Sequence, residues 1–220
     1  MTRYKIGDIA DFNKRTINKS DSIKEILYLD TSSITENVIS DTAVVDINNA
    51  PSRAQRRVEN NTIVYSTVRP RLKHYGLLRS PQSNLIVSTG FVTIDLKNQY
   101  KNDIDPRYLY LLLTQPSITE YIGNIADTAV SAYPSINPSD ISSLVFNFPT
   151  LHIQKTIADI WESYDNKIAL NRAINRNLST HIIYHINKQF DQNNEKSFYN
   201  PNGCIVNNTI VRTTNRNKTF

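Results

Sequence analysis

Hydrophobic and polar positions change their spacing once along this chain, near residue 150. Before that point the apolar residues fall in short runs of strand length. Residues 25–30 form one such run, closed by Thr31-Ser32-Ser33, and residues 43–47 form another. Asn60-Asn61 predicts a turn into residues 62–68, whose β-branched and aromatic content makes them the clearest strand. Arg69-Pro70-Arg71 ends that strand, because proline cannot donate to a ladder. Residues 75–78, 85–88, 91–96 and 144–148 have the same character, the last stopped by Pro149. Residues 6–12 read as a short opening segment with a turn. Asp105-Pro106 has the make-up of an N-cap followed by proline at the first helical position, and predicts a helix over 107–114. A second short helix is expected over 117–125. Residues 131–140, with two prolines, read as a loop.

After residue 150 the period becomes helical. From 151 to about 188 there is neither proline nor glycine. Apolar side chains recur at Ile153, Ile157, Ile160, Tyr164, Ile168, Ile174, Leu178 and Ile182, with Asn171 interrupting the seam. At 1.5 Å per residue such a helix reaches roughly 57 Å. That outruns a domain of ordinary size, so the seam calls for a partner helix and reads as a coiled coil. Asn171 at a seam position fits control of register at some cost in stability. The expected fold class is α+β. A globular mixed α/β domain covers 1–148, a long coiled-coil helix covers 149–190, and a polar tail rich in Asn and Thr covers 191–220, with a weak strand at 204–206.

Charge sharpens this picture. The chain of 220 residues carries 25 basic and 20 acidic side chains, net +5. Residues 51–80 hold 7 basic and 1 acidic, so this stretch alone exceeds the net charge of the whole. Its basic residues are Arg53, Arg56, Arg57, Arg69, Arg71, Lys73 and Arg79, with His74 and Tyr75 beside them. Arginine suits planar, bidentate contact with phosphate or guanine. A solvated basic face is the plain alternative. On the nucleic-acid reading the candidates are Arg53, Arg56, Arg57, Arg69, Arg71, Lys73 and Tyr75. Lys14 and Arg15 join them from the N-terminal loop, and Gln55 is a possible adenine reader.

Catalytic chemistry finds no footing. The 5 glycines include no G-x-G spacing, which excludes a glycine-rich phosphate loop. The single cysteine, Cys204, has no activating neighbour and cannot form an internal disulfide, so a reducing compartment is expected. His181 and His185 sit four apart on the long helix but lack a third ligand, so solvated or interface histidines explain them better than a metal. No G-x-S-x-G, adenine-methylation motif or clustered acidic nuclease site occurs. No apolar run of 18 residues and no leader peptide are visible, so a cytoplasmic protein without membrane contact is expected. Neither cofactor nor metal is expected.

One stretch is recognisable. Pro149-Thr150-Leu151-His152-Ile153-Gln154-Lys155-Thr156-Ile157-Ala158, then Asp165-Asn166-Lys167-Ile168 and Asn171-Arg172, closely resembles the conserved-region segment of type I restriction–modification specificity subunits. Upstream pieces agree in family order over roughly residues 5–178. Ile6-Gly7-Asp8 resembles the opening motif, and 62–71 resembles a strand ending in an Arg-Pro turn. Asp105-Pro106-Arg107-Tyr108-Leu109-Tyr110 resembles a helix start. Residues 131–141 resemble a recognition-face loop, with Val130 and Tyr133 replacing the usual Gly and Gln.

The resemblance implies a non-catalytic subunit with one target-recognition domain and one spacer helix, a half-length form of a family that usually repeats this unit. It implies double-stranded DNA as ligand, read at one half of a bipartite target, with Ser131 and Tyr133 approaching the duplex. It implies docking to the modification (methyltransferase) subunit, with a restriction subunit left open. Pairing through Ile153, Ile157, Ile160, Tyr164, Ile168, Asn171, Ile174 and Leu178 would join two copies as an antiparallel homodimer, or this chain and another half-length subunit. Two rivals lie outside restriction–modification. One is a single-strand or RNA binder with tyrosines as stacking platforms. The other is a coiled-coil adaptor whose basic patch only keeps it solvated.

Overall fold

The computed structural model describes residues 1–18, 21, 23–128 and 133–197. The chain divides into two compact units, residues 1–163 and 164–220. In chain order the elements are β1 (Thr2–Lys5), α1 (Ile6–Ile9), β2 (Ala10–Phe12), β3 (Glu25–Leu29), β4 (Ile34–Thr35), β5 (Val38–Ile39), β6 (Ala43–Asp46) and β7 (Ala54–Arg57). They continue with β8 (Thr62–Ser66), β9 (Tyr75–Leu78), β10 (Leu85–Ser88), β11 (Phe91–Leu96), α2 (Pro106–Leu113), α3 (Pro116–Asp127), α4 (Pro138–Ser142), β12 (Val145–Phe148) and α5 (Leu151–Ser197).

Two four-stranded sheets make the frame of the first unit. One has the order β6-β3-β10-β7, with β3 and β10 parallel and the outer pairs antiparallel. The other, β2-β11-β8-β9, is antiparallel throughout. Alternation along each strand sorts side chains into layers. Val64, Leu78 and Phe91 face Leu29, Ile34, Leu85 and Val87, forming a core between the sheets. Ile63, Tyr65, Tyr75, Leu77, Val92 and Ile94 point the other way. They build the largest core with side chains of α1, α2, α3 and α4, including Ile6, Leu109, Leu113, Ile122 and Ile141. Both faces of β8 are therefore buried, which explains its near-continuous apolar run. At Gly76 the sheet is close to its neighbours, and an added Cβ would meet the Ile34 Cδ1 and force that buried side chain to shift.

The first turns of α5 are locked into this unit. Gln154 is fully buried. Its Oε1 accepts from the Asp105 N–H at 3.0 Å, and its Nε2 donates to the Asp103 and Pro149 carbonyls, both at 2.9 Å. Ala158 is buried on the same side, and Trp161 packs at 5.4 Å from the Tyr110 ring. Arg107 donates to Asp105 (2.7 Å), Asp159 (2.6 Å) and Glu162 (2.8 Å). Arg79 also pairs with Glu162. These guanidinium contacts hold Asp105 and Glu162 below the usual carboxylate range and raise Arg107.

In the first unit the seam positions at the start of α5 lie on its exposed side. Ile153, Ile157 and Ile160 are all exposed, Ile160 at 54%. In the second unit Tyr164, Ile168, Ile174, Leu178 and Ile182 are exposed as well, and Asn171 with them.

Several sequence expectations are corrected here. The helix runs through Ser197, so residues 191–197 belong to it and not to a loose tail, for no proline or glycine lies between Pro149 and Pro201. Residues 198–220, with the strand expected at 204–206, lie outside the described residues. Residues 138–140, the end of the stretch read as loop, open α4 (Pro138–Ser142). Proline opens that helix at a position tolerant of a missing N–H, and the Asn137 N–H donates to Asp140 at 2.7 Å. The edge strand β7 was hidden by its composition, Ala-Gln-Arg-Arg.

Candidate nucleic-acid interface

The turn after β8 organises the basic residues. Thr62–Ser66 is a strand because its first four residues are β-branched or aromatic and both faces are covered, and Pro70 stops it. Reversing the chain so abruptly places two non-glycine residues in the left-handed region, Arg69 (φ 49°) and Lys73 (φ 58°). The turn is tied down on both sides. The Arg69 N–H donates to the Pro134 carbonyl at 2.8 Å, and the Ile136 N–H to the Thr67 carbonyl at 2.9 Å. Val68 and Ser135 form an antiparallel bridge, so the segment beginning at Tyr133 is pinned beside Arg69.

This pairing builds a cleft of about 620 Å³, lined by Thr31, Ser32, Arg53, Ser66, Arg69, His74, Tyr133 and Ser135, with Val68 and Leu72. The Arg69 guanidinium sits 5.0 Å from the centre of the Tyr133 ring. Both residues are exposed. The His74 Nδ1 lies 2.7 Å from the Ile34 carbonyl, which can only accept, so Nδ1 carries the proton and Nε2 is the other nitrogen. Arg53 lies exposed at the end of this cleft and also lines the adjoining one with Tyr28, Asp30 and Asp41.

The remaining candidates divide sharply. Arg71 leaves the cleft and lies over Gly123 of α3. It donates to Glu120 (3.0 Å), Asn124 (2.6 Å) and Asp127 (2.6 Å), which raises its pKa. Lys73 pairs with Glu36 at 2.6 Å, and that carboxylate raises it too. Lys14, Arg15 and Arg57 line a separate cleft of about 550 Å³. Each has an acid: Asp11 for Lys14 (2.5 Å), Glu59 (2.8 Å) and Asp95 (3.2 Å) for Arg15, and Asp21 for Arg57 (3.2 Å). Burial pushes the Asp95 carboxyl up despite Arg15. Gln55 donates to its own loop at the Ser52 carbonyl, 2.6 Å away. Arg56 is partly buried, its Nε enclosed without a hydrogen-bond partner, and burial lowers its pKa.

Tyr75 is a correction. The sequence groups it with the basic patch, but its ring is buried in the core, 5.4 Å from Tyr65 and 6.2 Å from Tyr110. A residue on β9 facing the helices cannot present its ring to a ligand. Ser131 lies outside the described residues.

The basic surplus of 51–80 is thus largely cancelled by acids from elsewhere in the chain. Among the described residues, Arg53 and Arg69 keep exposed guanidinium groups with no carboxylate partner, and they share one cleft. His74, noted beside the basic residues but not counted among the candidates, lines the cleft, and so do the small hydroxyls Thr31, Ser32, Ser66 and Ser135, which sequence reasoning missed. For Thr31 and Ser32 the polar Thr-Ser-Ser run after an apolar strand was the visible signal. Among the described residues, no group of three or more His, Cys, Asp or Glu could hold a metal ion, and no helix is long and apolar enough to cross a membrane.

Comparison with known proteins supplies an independent finding. The family model described as the type I restriction modification DNA specificity domain matches residues 1–180. The chain is 29% identical over 175 residues to the type I restriction enzyme HindI specificity subunit of Haemophilus influenzae, covering 80% of this chain and 37% of that protein. Its fold is similar to the crystal structure of the HsdS subunit from Thermoanaerobacter tengcongensis. The TM-score is 0.65 at 22% identity, over 79% of this chain and 44% of that one. It is also similar, with a TM-score of 0.61 at 19% identity, to a chain from work on complex assembly and conformational transition of the type I R-M system, over 94% and 51% of the two chains. The chain spans less than half the length of the curated relative it matches.

Proposed function

Because the chain belongs to the type I restriction modification DNA specificity domain family, we propose that it recognises double-stranded DNA for a type I restriction–modification complex and carries out no chemistry itself. The observation that carries this is the cleft where Arg53 and Arg69 stand without carboxylate partners beside an exposed tyrosine. Unneutralised guanidinium groups gain most from meeting phosphates and base edges. The paired cations around them contribute less, since each must first leave an internal acid. A ligand of this kind puts the protein in the cytoplasm, with the modification subunit as the partner that methylates adenine.

The finer reading concerns the target and the assembly. The first unit reads one half of a bipartite site, and the exposed seam of α5 pairs antiparallel with a second such helix. We take that second helix from another copy of this chain, so that a symmetric dimer meets a palindromic target. The modification subunit docks on the remaining surface of the helix pair.

The decisive experiment maps adenine methylation across the host genome with the gene intact and with it deleted. The expected result is loss of a single gapped motif on deletion, symmetric if the two halves come from identical chains. An asymmetric motif would overturn the homodimer. Retention of every methylated motif would overturn the specificity role.

A further inference from the structure

Arg53 and Arg69 share the cleft but differ in how they are held. Arg53 is exposed, makes no ion pair among the described residues, and stands between two clefts. Arg69 is fixed at three levels. Its backbone occupies the left-handed region (φ 49°, ψ 60°), which is unfavourable for a side-chain-bearing residue and persists only when surroundings over-determine it. Here they do. Its N–H is taken by Pro134, and its carbonyl accepts from the Leu72 N–H at 2.9 Å. Finally, its guanidinium lies 5.0 Å from the centre of the Tyr133 ring.

That contact matters for what the head group can still do. A guanidinium over a ring is attracted by the ring quadrupole, and that contact occupies none of its N–H groups with an acceptor. Arg71, two residues on, shows the contrast. Its Nε, Nη1 and Nη2 all donate to Glu120, Asn124 and Asp127. One arginine of the turn is therefore used up holding the turn to α3, and the other is held at the Tyr133 ring with no carboxylate partner among the described residues. Guanine is the base whose major-groove edge offers two adjacent acceptors and no donor, which matches an arginine fork.

Resting on the DNA-recognition reading above, we propose that Arg69 is a specificity-determining residue that selects guanine at one position of the target, with Tyr133 as its positioning residue and Arg53 as a phosphate contact. The fixed head group suits discrimination between bases. The unfixed one suits a backbone that every sequence shares.

The test starts by selecting bound duplexes from a random-sequence pool with the full wild-type chain. Equilibrium competition then compares duplexes carrying each of the four bases at every selected position. Wild type is expected to prefer guanine at one position by about 5- to 150-fold, the range of a good bidentate pair. Arg69→Ala and Arg69→Lys should bring the four bases at that position to within about twofold, since lysine keeps the charge but not the fork. Arg69→Gly, which adopts the left-handed conformation without strain, should do the same and guards against misfolding of the turn. Arg53→Ala should weaken all duplexes alike and leave the preference intact.

Retention of every guanine preference in the Arg69 variants would overturn the proposal. So would a uniform loss across all duplexes, which is the signature of a phosphate contact. If wild type selects no duplex at all, the DNA-recognition reading falls and this inference falls with it.

Discussion

Gln154 shows how one polar side chain can fix the junction between a domain and a long helix. Its amide satisfies one N–H and two carbonyls in a place with no exposure to water. Removing a buried partner leaves those groups unpaired, at about 1–3 kcal/mol each. Gln154→Ala is therefore expected to lower unfolding stability by roughly 2–4 kcal/mol, read as a lower midpoint in urea with an unchanged slope. Asp105 next to it makes a prediction about acid. Its folded pKa is held low by the Arg107 guanidinium and the N-cap bond to the Arg107 N–H, despite burial. A lowered carboxylate pKa contributes stability above the ordinary value, near 4, and loses it as pH falls through the lowered one. Glu162 has the same sign. Asp95, raised by burial, has the opposite sign, and its penalty is relieved as it protonates. Asp105→Asn keeps an N-cap but has no charge to lose. Its stability, measured by urea titration from pH 6 to pH 2, should fall less steeply than that of wild type.

At the scale of elements, α5 carries two different stripes. One, made of Gln154, Ala158 and Trp161, packs into the first unit. The other holds Ile153, Ile157 and Ile160, exposed in the first unit, and Tyr164, Ile168, Ile174 and Leu178, exposed in the second. A single helix gains little from such a stripe, and most helical stability in proteins comes from packing. Replacing Ile157 and Leu178 together by Lys should therefore abolish self-association in analytical ultracentrifugation. The same double variant should leave the urea transition of the first unit within about 1 kcal/mol of wild type, since exposed positions contribute little to the fold. A monomer seen for wild type at the same concentration would count against the pairing. Among the shorter elements, period and breakers made β8, β9, β10, β11, α2 and α3 legible to within a few residues. The strand β7 was not legible, because its place at a sheet edge lets charged side chains occupy it. The capped helix α4 was missed for the opposite reason, since a Pro-Ser-Asp sequence is equally at home in a turn.

For the whole molecule, the sequence alone determined the change from short apolar runs to a helical period, the α+β class, the apolar positions of the seam and the resemblance to the family. These are properties of local order, and local order is written in spacing. It also located the stretch that supplies the cleft's cations, but not their state. Seven basic residues in thirty look like one patch when counted along the chain. Tertiary structure brings Asp21, Glu36, Glu120, Asp127 and Glu162 from distant segments onto four of them. It turns Tyr75 into core and places Tyr133, which lies 64 residues along from Arg69, under that guanidinium. Charge neutralisation and the cation–π contact act over a few ångströms through space, while these partners lie tens of residues apart along the chain. That is why only the folded chain could separate Arg53 and Arg69 from the basic residues around them.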